Sequence, residues 1–135
     1  MKVSDILRVK GSTLFTVKPD ELLGTALNAM AEKDIGSLVV MSQGQLAGML
    51  TFREVIQQVV QNGGQVGHTT VEQAMDAEPL TCSSDTDLDD VRRIMLERHA
   101  RYMPIMDAHM LMGVISFYDV AKAVVESQDF ENKML

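Results

Sequence analysis

Two short stretches place a glycine, a hydroxyl and a carboxylate at one spacing: Gly48, Thr51 and Glu54 in "GMLTFRE", and Gly113, Ser116 and Asp119 in "GVISFYD". A hydroxyl followed three residues later by an acid, where a strand gives way to a helix, has the form of a capping box. In it the hydroxyl and the acid satisfy the first amides of the helix. The same groups suit binding chemistry. A bare glycine in a strand lets a ligand or another backbone come close. Helix amides and a hydroxyl can meet a phosphate, while a carboxylate can take two sugar hydroxyls. Capping accounts for the hydroxyl and the acid but not for the glycine, so both readings stand at this point.

The two stretches are copies of one unit. A step of 65 residues, with no gap, aligns 16–60 with 81–125 and gives 12 identical pairs in 45 positions, among them Thr16/Thr81, Leu23/Leu88, Met30/Met95 and Phe52/Phe117. A unit this short buries its own apolar face poorly, so the copies are expected to pack on each other. Each copy opens on a short extended piece, "LFTV" or "LTCS". A helix follows, with Asp and Thr at its start and Leu23, Ala26, Leu27 and Met30, or Leu88, Val91, Ile94 and Met95, at helical spacing. The apolar runs "SLVVM" and "YMPIM" read as buried strands, "LAGMLTF" and "LMGVISF" as second strands, and "REVIQQVVQ" and "YDVAKAVVES" as closing helices. The expected fold is α/β (α+β), a β-α-β-β-α unit used twice, with repeats at 1–62 and 63–135. The glycine-rich, polar stretch 61–70 reads as the linker. Helical lead-ins, "VSDIL" and "VEQAM", stand before the two copies.

Composition narrows the function. The 135 residues carry 19 acids against 12 bases, a net charge of −7, so a sequence-independent grip on nucleic acid or on an anionic membrane is not expected. Apolar runs are too short to span a bilayer. Cys82 is the one cysteine, so no internal disulfide forms. No signal-peptide pattern follows Met1, and a cytoplasmic location is expected. Cys82 has no His–Asp arrangement around it and reads as a small buried residue. His68, His99 and His109 lack ligand spacing, so no metal site is expected. No nucleophile–base pair or phosphate-loop motif appears, and the chain reads as a non-enzyme.

The doubled element order, the repeated "G-x-x-[S/T]-x-x-[D/E]" and the pre-strand segments "IGSLVV" and "ARYMPI" resemble the cystathionine β-synthase (CBS) domain family, whose repeats work in pairs. The resemblance covers essentially the whole chain. It implies two clefts between the repeats, about a pseudo-twofold axis, that take adenosine ligands: AMP, ADP, ATP, NAD(H) or S-adenosylmethionine. It also implies a regulatory sensor, a homodimer and an unidentified effector protein. One cleft would hold Gly113, Ser116 and Asp119, with Thr16, Ile35, Gly36, Ser37 and Leu38 completing it. The other would hold Gly48, Thr51 and Glu54, with Thr81, Arg101, Tyr102, Met103 and Pro104. Glu54 departs from the family's usual Asp, and its longer stem shifts the carboxylate. Arg98, His99 and Arg101 give that second cleft a basic wall suited to phosphate. Against this stand plainer roles: Arg101 as a solvated charge, His99 as a helix end and Tyr102 as core cover. The competing overall reading is a structural or oligomerisation module with empty clefts.

Overall fold

The computed structural model describes residues 1–11 and 13–135. The elements in chain order are α1 (Val3–Lys10), β1 (Thr16–Val17), α2 (Leu23–Lys33), β2 (Ser37–Ser42), β3 (Gln45–Thr51), α3 (Phe52–Gln61), α4 (Val71–Ala74), α5 (Leu88–Arg98), β4 (Tyr102–Asp107), β5 (Met110–Ser116) and α6 (Phe117–Met134). They form two compact units. The central unit is Leu14–Pro79; the terminal unit joins Met1–Thr13 to Leu80–Leu135.

In the central unit, β1 lies parallel to β2 and β2 antiparallel to β3, in the order β1-β2-β3. The apolar positions of α2 predicted from spacing, Leu23, Ala26 and Met30, face Leu38, Val40 and Leu50 of the hairpin in one buried cluster. Full burial of a leucine such as Leu23 or Leu50 contributes about 1.5–3 kcal/mol. The terminal unit repeats the plan. Leu88, Val91 and Met95 of α5 pack with Met103, Ile105 and Ile115 of the β4–β5 hairpin. The 65-residue repeat extends to backbone detail. Asp34 and His99 both end their helices in the left-handed region, Gln43 and Ala108 both take positive φ in the hairpin turns, and both hairpins shift register at the same place.

Two local expectations are corrected. The first strand of the second copy shrinks to a single parallel bridge, Cys82 to Ile105. In the central unit the Val39 amide donates to Phe15 O at 3.1 Å. Pro104 stands at the equivalent position and has no N–H to give. The starts of α2 and α5 carry no side-chain cap, and α2 has no acid in its first turn. Backbone carbonyls serve instead: Leu23 N–H donates to Thr69 O (2.8 Å) and Leu88 N–H to Met1 O (2.9 Å).

Those carbonyls belong to the lead-ins, which assort unexpectedly. α1 precedes the first copy in sequence yet packs within the terminal unit, and α4 precedes the second copy yet packs within the central unit. The packed units therefore divide the chain differently from the sequence repeat. The two helices dock alike. Val3 and Ser4 donate to Thr86 O and Ser84 O at 2.9 and 2.8 Å, and Val71 and Glu72 donate to Glu21 O and Pro19 O, both at 2.9 Å. Val3 and Val71 are fully buried.

This docking explains the glycines. A Cβ on Gly113 would stand 2.8 Å from Leu7 Cδ2, and one on Gly48 would stand 2.5 Å from Asp76 O and 2.9 Å from Met75 Sδ. Leu7 and Met75 are equivalent residues of the two lead-ins. At Gly48 the obstacle is backbone, fixed by the reciprocal Met49–Asp76 bridge (2.9 and 2.8 Å). At Gly113 it is the tip of a side chain that can rotate. Gly48→Ala is expected to cost about 1–3 kcal/mol and more than Gly113→Ala. Leu7→Ala should relieve Gly113→Ala, making the double variant more stable than the sum of the single losses. Urea unfolding of the four variants against the parent checks both statements.

Candidate functional site

Both strand-to-helix junctions are capping boxes. Thr51 N–H donates to Glu54 Oε1 at 2.8 Å, the Thr51 hydroxyl donates to the same oxygen at 2.6 Å, and Arg53 N–H donates to Thr51 Oγ1 at 3.2 Å. Ser116 N–H donates to Asp119 Oδ2 at 2.9 Å, and Asp119 N–H donates to Ser116 Oγ at 3.0 Å. The sequence thus marked both helix starts correctly. The acids nevertheless differ in their surroundings. Lys10, in the last turn of α1, donates to Asp119 Oδ2 at 2.7 Å and to Val114 O of β5 at 3.0 Å. Asp119's side chain is 17% exposed and that of Lys10 40%. Burial pushes the Asp119 carboxyl up, but the Lys10 ammonium and the Ser116 hydrogen bonds outweigh it and hold the group below the usual carboxylate range. Glu54 has no such cation among the described residues; the lead-in position matching Lys10 is Glu78. Nothing in the linear pattern pointed to Lys10, which lies 109 residues from its partner.

Each unit gathers residues assigned from the sequence to different clefts. In the central unit Ser37 pairs with Thr51, Leu38 with Leu50 and Thr16 with Val39. Ile35, Gly36 and Ser37 are half-buried and precede the buried part of β2. In the terminal unit Tyr102 pairs with Ser116 and Pro104 with Val114, while Thr81 is exposed. Arg101 O accepts from Phe117 N–H at 2.8 Å, which ties the basic segment to the helix start. The Arg101 side chain is exposed and makes no ion pair among the described residues. His99 is the left-handed C-cap of α5. Leu38 and Met103, expected as wall residues, are 2% and 0% exposed and sit in the two cores. Only their backbone is left to line a site, since each strand is buried over three consecutive residues, Leu38, Val39 and Val40 in β2 and Met103, Pro104 and Ile105 in β4.

The central unit also holds an open groove of about 540 Å³ lined by Thr16–Glu21, Met41–Gly44 and Glu72. In the terminal unit the matching positions are bonded to each other: Ser84 N–H and its hydroxyl donate to the Asp107 carboxylate at 2.9 and 2.6 Å. Those bonds hold Asp107 below its ordinary range. Pro19 and Ser42 stand at the matching positions and cannot make them. Beside this pair, burial first and the Asp107 charge second push the Cys82 thiol up to about 11, so it is protonated and a poor nucleophile at neutral pH.

A model of the CBS domain matches residues 3–61 and 71–126. The chain belongs to the CBS-domain family. Among its relatives is the CBS domain-containing protein YhcV of Bacillus subtilis, 30% identical over 106 residues, covering 78% of this chain and 75% of that one. A protein with CBS domains from Burkholderia ambifaria matches in structure with a TM-score of 0.88 and 31% identity, covering 95% of this chain and 96% of that one. CBSX2, solved in complex with AMP, matches with a TM-score of 0.76 and 25% identity over 94% and 98% of the two chains. No helix among the described residues is long and apolar enough to cross a membrane, and no group of three or more His, Cys, Asp or Glu among them is placed to hold a metal ion.

The environment of Asp119 sets a pH dependence. Its folded pKa is lowered, so the stability it contributes is present above the unfolded value of about 3.9 and is lost as pH falls through the folded value. Asp119→Asn is expected to cost about 1–2 kcal/mol at pH 7. The gap between the variant and the parent should close as pH drops below about 4. Melting temperatures of both proteins from pH 7 to pH 2.5 check this; a gap that stays constant would assign the loss to packing alone.

Proposed function

We propose that this CBS-domain chain is a regulatory, non-catalytic module that senses an adenosine nucleotide, with Gly113, Ser116 and Asp119 at the ribose. The observation carrying the reading is the Asp119 carboxylate: ionised, fixed by Ser116, and with Oδ1 free of protein hydrogen bonds among the described residues. Such an oxygen is a preformed acceptor for sugar hydroxyls. Its place in a CBS-domain chain akin to CBSX2, solved with AMP, supports the choice of ligand class. AMP, ADP, ATP and NAD(H) share the ribose this acid would read. Gly48, Thr51 and Glu54 are the weaker motif, since Glu54 departs from the family's Asp and its longer stem shifts the carboxylate. The exposed guanidinium of Arg101 is proposed as a phosphate contact.

The module is proposed to act in the cytoplasm, as a homodimer, through an effector protein. Phe52, Ile56 and Val60 form an exposed apolar stripe along α3, consistent with a surface that a second chain covers.

A second reading has its own support. Leu7 and Asp76 fill the space beside the two glycines, and both acids serve as caps, so every part of the motif has an internal use. In that reading the chain is an interaction module without a ligand. A thermal-shift panel separates the two. A ligand that binds only the folded state raises the melting temperature. AMP, ADP, ATP or NAD(H) at millimolar levels is expected to do so, and guanosine and cytidine nucleotides less or not at all. No shift with any adenosine ligand, together with no nucleotide released from purified, denatured protein, would leave the interaction module as the correct reading.

A further inference from the structure

The pairing of Lys10 with Asp119 has a consequence for that site. Asp119 Oδ2 accepts two hydrogen bonds, from Ser116 N–H at 2.9 Å and from Lys10 Nζ at 2.7 Å. A carboxylate oxygen has two lone pairs, so this one is full. A sugar diol that uses both carboxylate oxygens must take a place on Oδ2. The Ser116 amide is backbone at the start of α6 and stays; the lysine is the partner that can leave.

We infer that Lys10 is a displaceable latch on Asp119, a residue that sets ligand affinity by competing for the same oxygen. The inference rests on the proposed ribose role of Asp119 and adds its regulation.

The helix that carries Lys10 is built to register the exchange. The helix is anchored independently of the latch as far as Leu7: Val3 is fully buried, Val3 and Ser4 donate to Thr86 O and Ser84 O, and Leu7 packs on Gly113. Beyond Leu7, the end of the helix is bonded to β5 and α6 through the Lys10 ammonium, which bridges Val114 O and Asp119. The helix ends at Gly11, at φ +83°, whose N–H donates to Leu7 O at 2.8 Å. From there the chain passes on to the central unit. Displacing Lys10 frees the residues after Leu7 while Val3 to Leu7 stay seated, which turns occupancy into a local loosening at the end of α1. Only this motif is latched, because Glu78 replaces the lysine in the other lead-in.

Calorimetric titration of AMP into the parent, Lys10→Met, Lys10→Arg and Asp119→Ala tests the latch. Methionine keeps the stem and removes the charge; arginine keeps the charge. Lys10→Met is expected to bind AMP about three- to tenfold tighter, as the loss of a partly buried competing ion pair allows, and Lys10→Arg to stay close to the parent. In the parent, saturating AMP should speed amide exchange at Gly11 and leave Val3 and Ser4 unchanged, a readout that needs no variant to fold. If Lys10→Met binds AMP no tighter than the parent while Asp119→Ala binds far more weakly, the latch is overturned and the ribose reading survives. If Asp119→Ala binds as the parent does, or no protein of the set binds, both are overturned.

Discussion

Each unit depends on a short lead-in helix seated against a bare glycine of the hairpin's outer strand. Leu7 rests on Gly113 and Met75 on Gly48, at distances that leave no room for a Cβ. The seat closes an edge that would otherwise expose unpaired backbone groups. In the central unit Asp76 pairs with Met49 on that edge; in the terminal unit Lys10 covers Val114 O. The strand so covered runs directly into the helix whose cap carries the motif acid, so helix seating, edge closure and acid placement form one construction.

The two copies finish that construction differently, and the difference is chemical. α4 stops at Ala74 and the chain turns extended, so backbone meets backbone at Asp76. α1 continues to Lys10, so a side-chain cation reaches the edge and the acid beyond it. One motif becomes a cap with an ion pair, held below its usual pKa. The other becomes a cap whose glutamate folds back on its own threonine. The same asymmetry recurs away from the motif, where Ser84 is bonded to Asp107 while the matching Pro19 and Ser42 border an open groove.

Much of this was legible in the chain because its signals are local. Helical spacing in 23–30 and 88–95, the apolar runs of the strands and the hydroxyl–acid pairs at 51–54 and 116–119 all report interactions within a few residues. The gap-free repeat added the tandem architecture. What stayed hidden depends on partners far apart in sequence. Nothing near residues 3–10 says that they pack in a unit with residues 80–135, so neither the seat on Gly113 nor the Lys10 pair was readable. Pro104 did carry a local signal, a missing amide, that explains the lost first strand of the second copy. Leu38 and Met103 were read as wall residues from their place in the family pattern, whereas packing in the two cores buries both side chains.

The central claim is that Asp119 holds a ribose and gives up Lys10 to do so. A crystal structure of the protein grown with AMP tests it most directly. The account predicts both ribose hydroxyls within about 3 Å of the Asp119 carboxylate oxygens, the Ser116 cap intact, and the Lys10 ammonium withdrawn from Oδ2. AMP bound away from Asp119, or AMP absent with the Lys10–Asp119 pair unchanged, would contradict it.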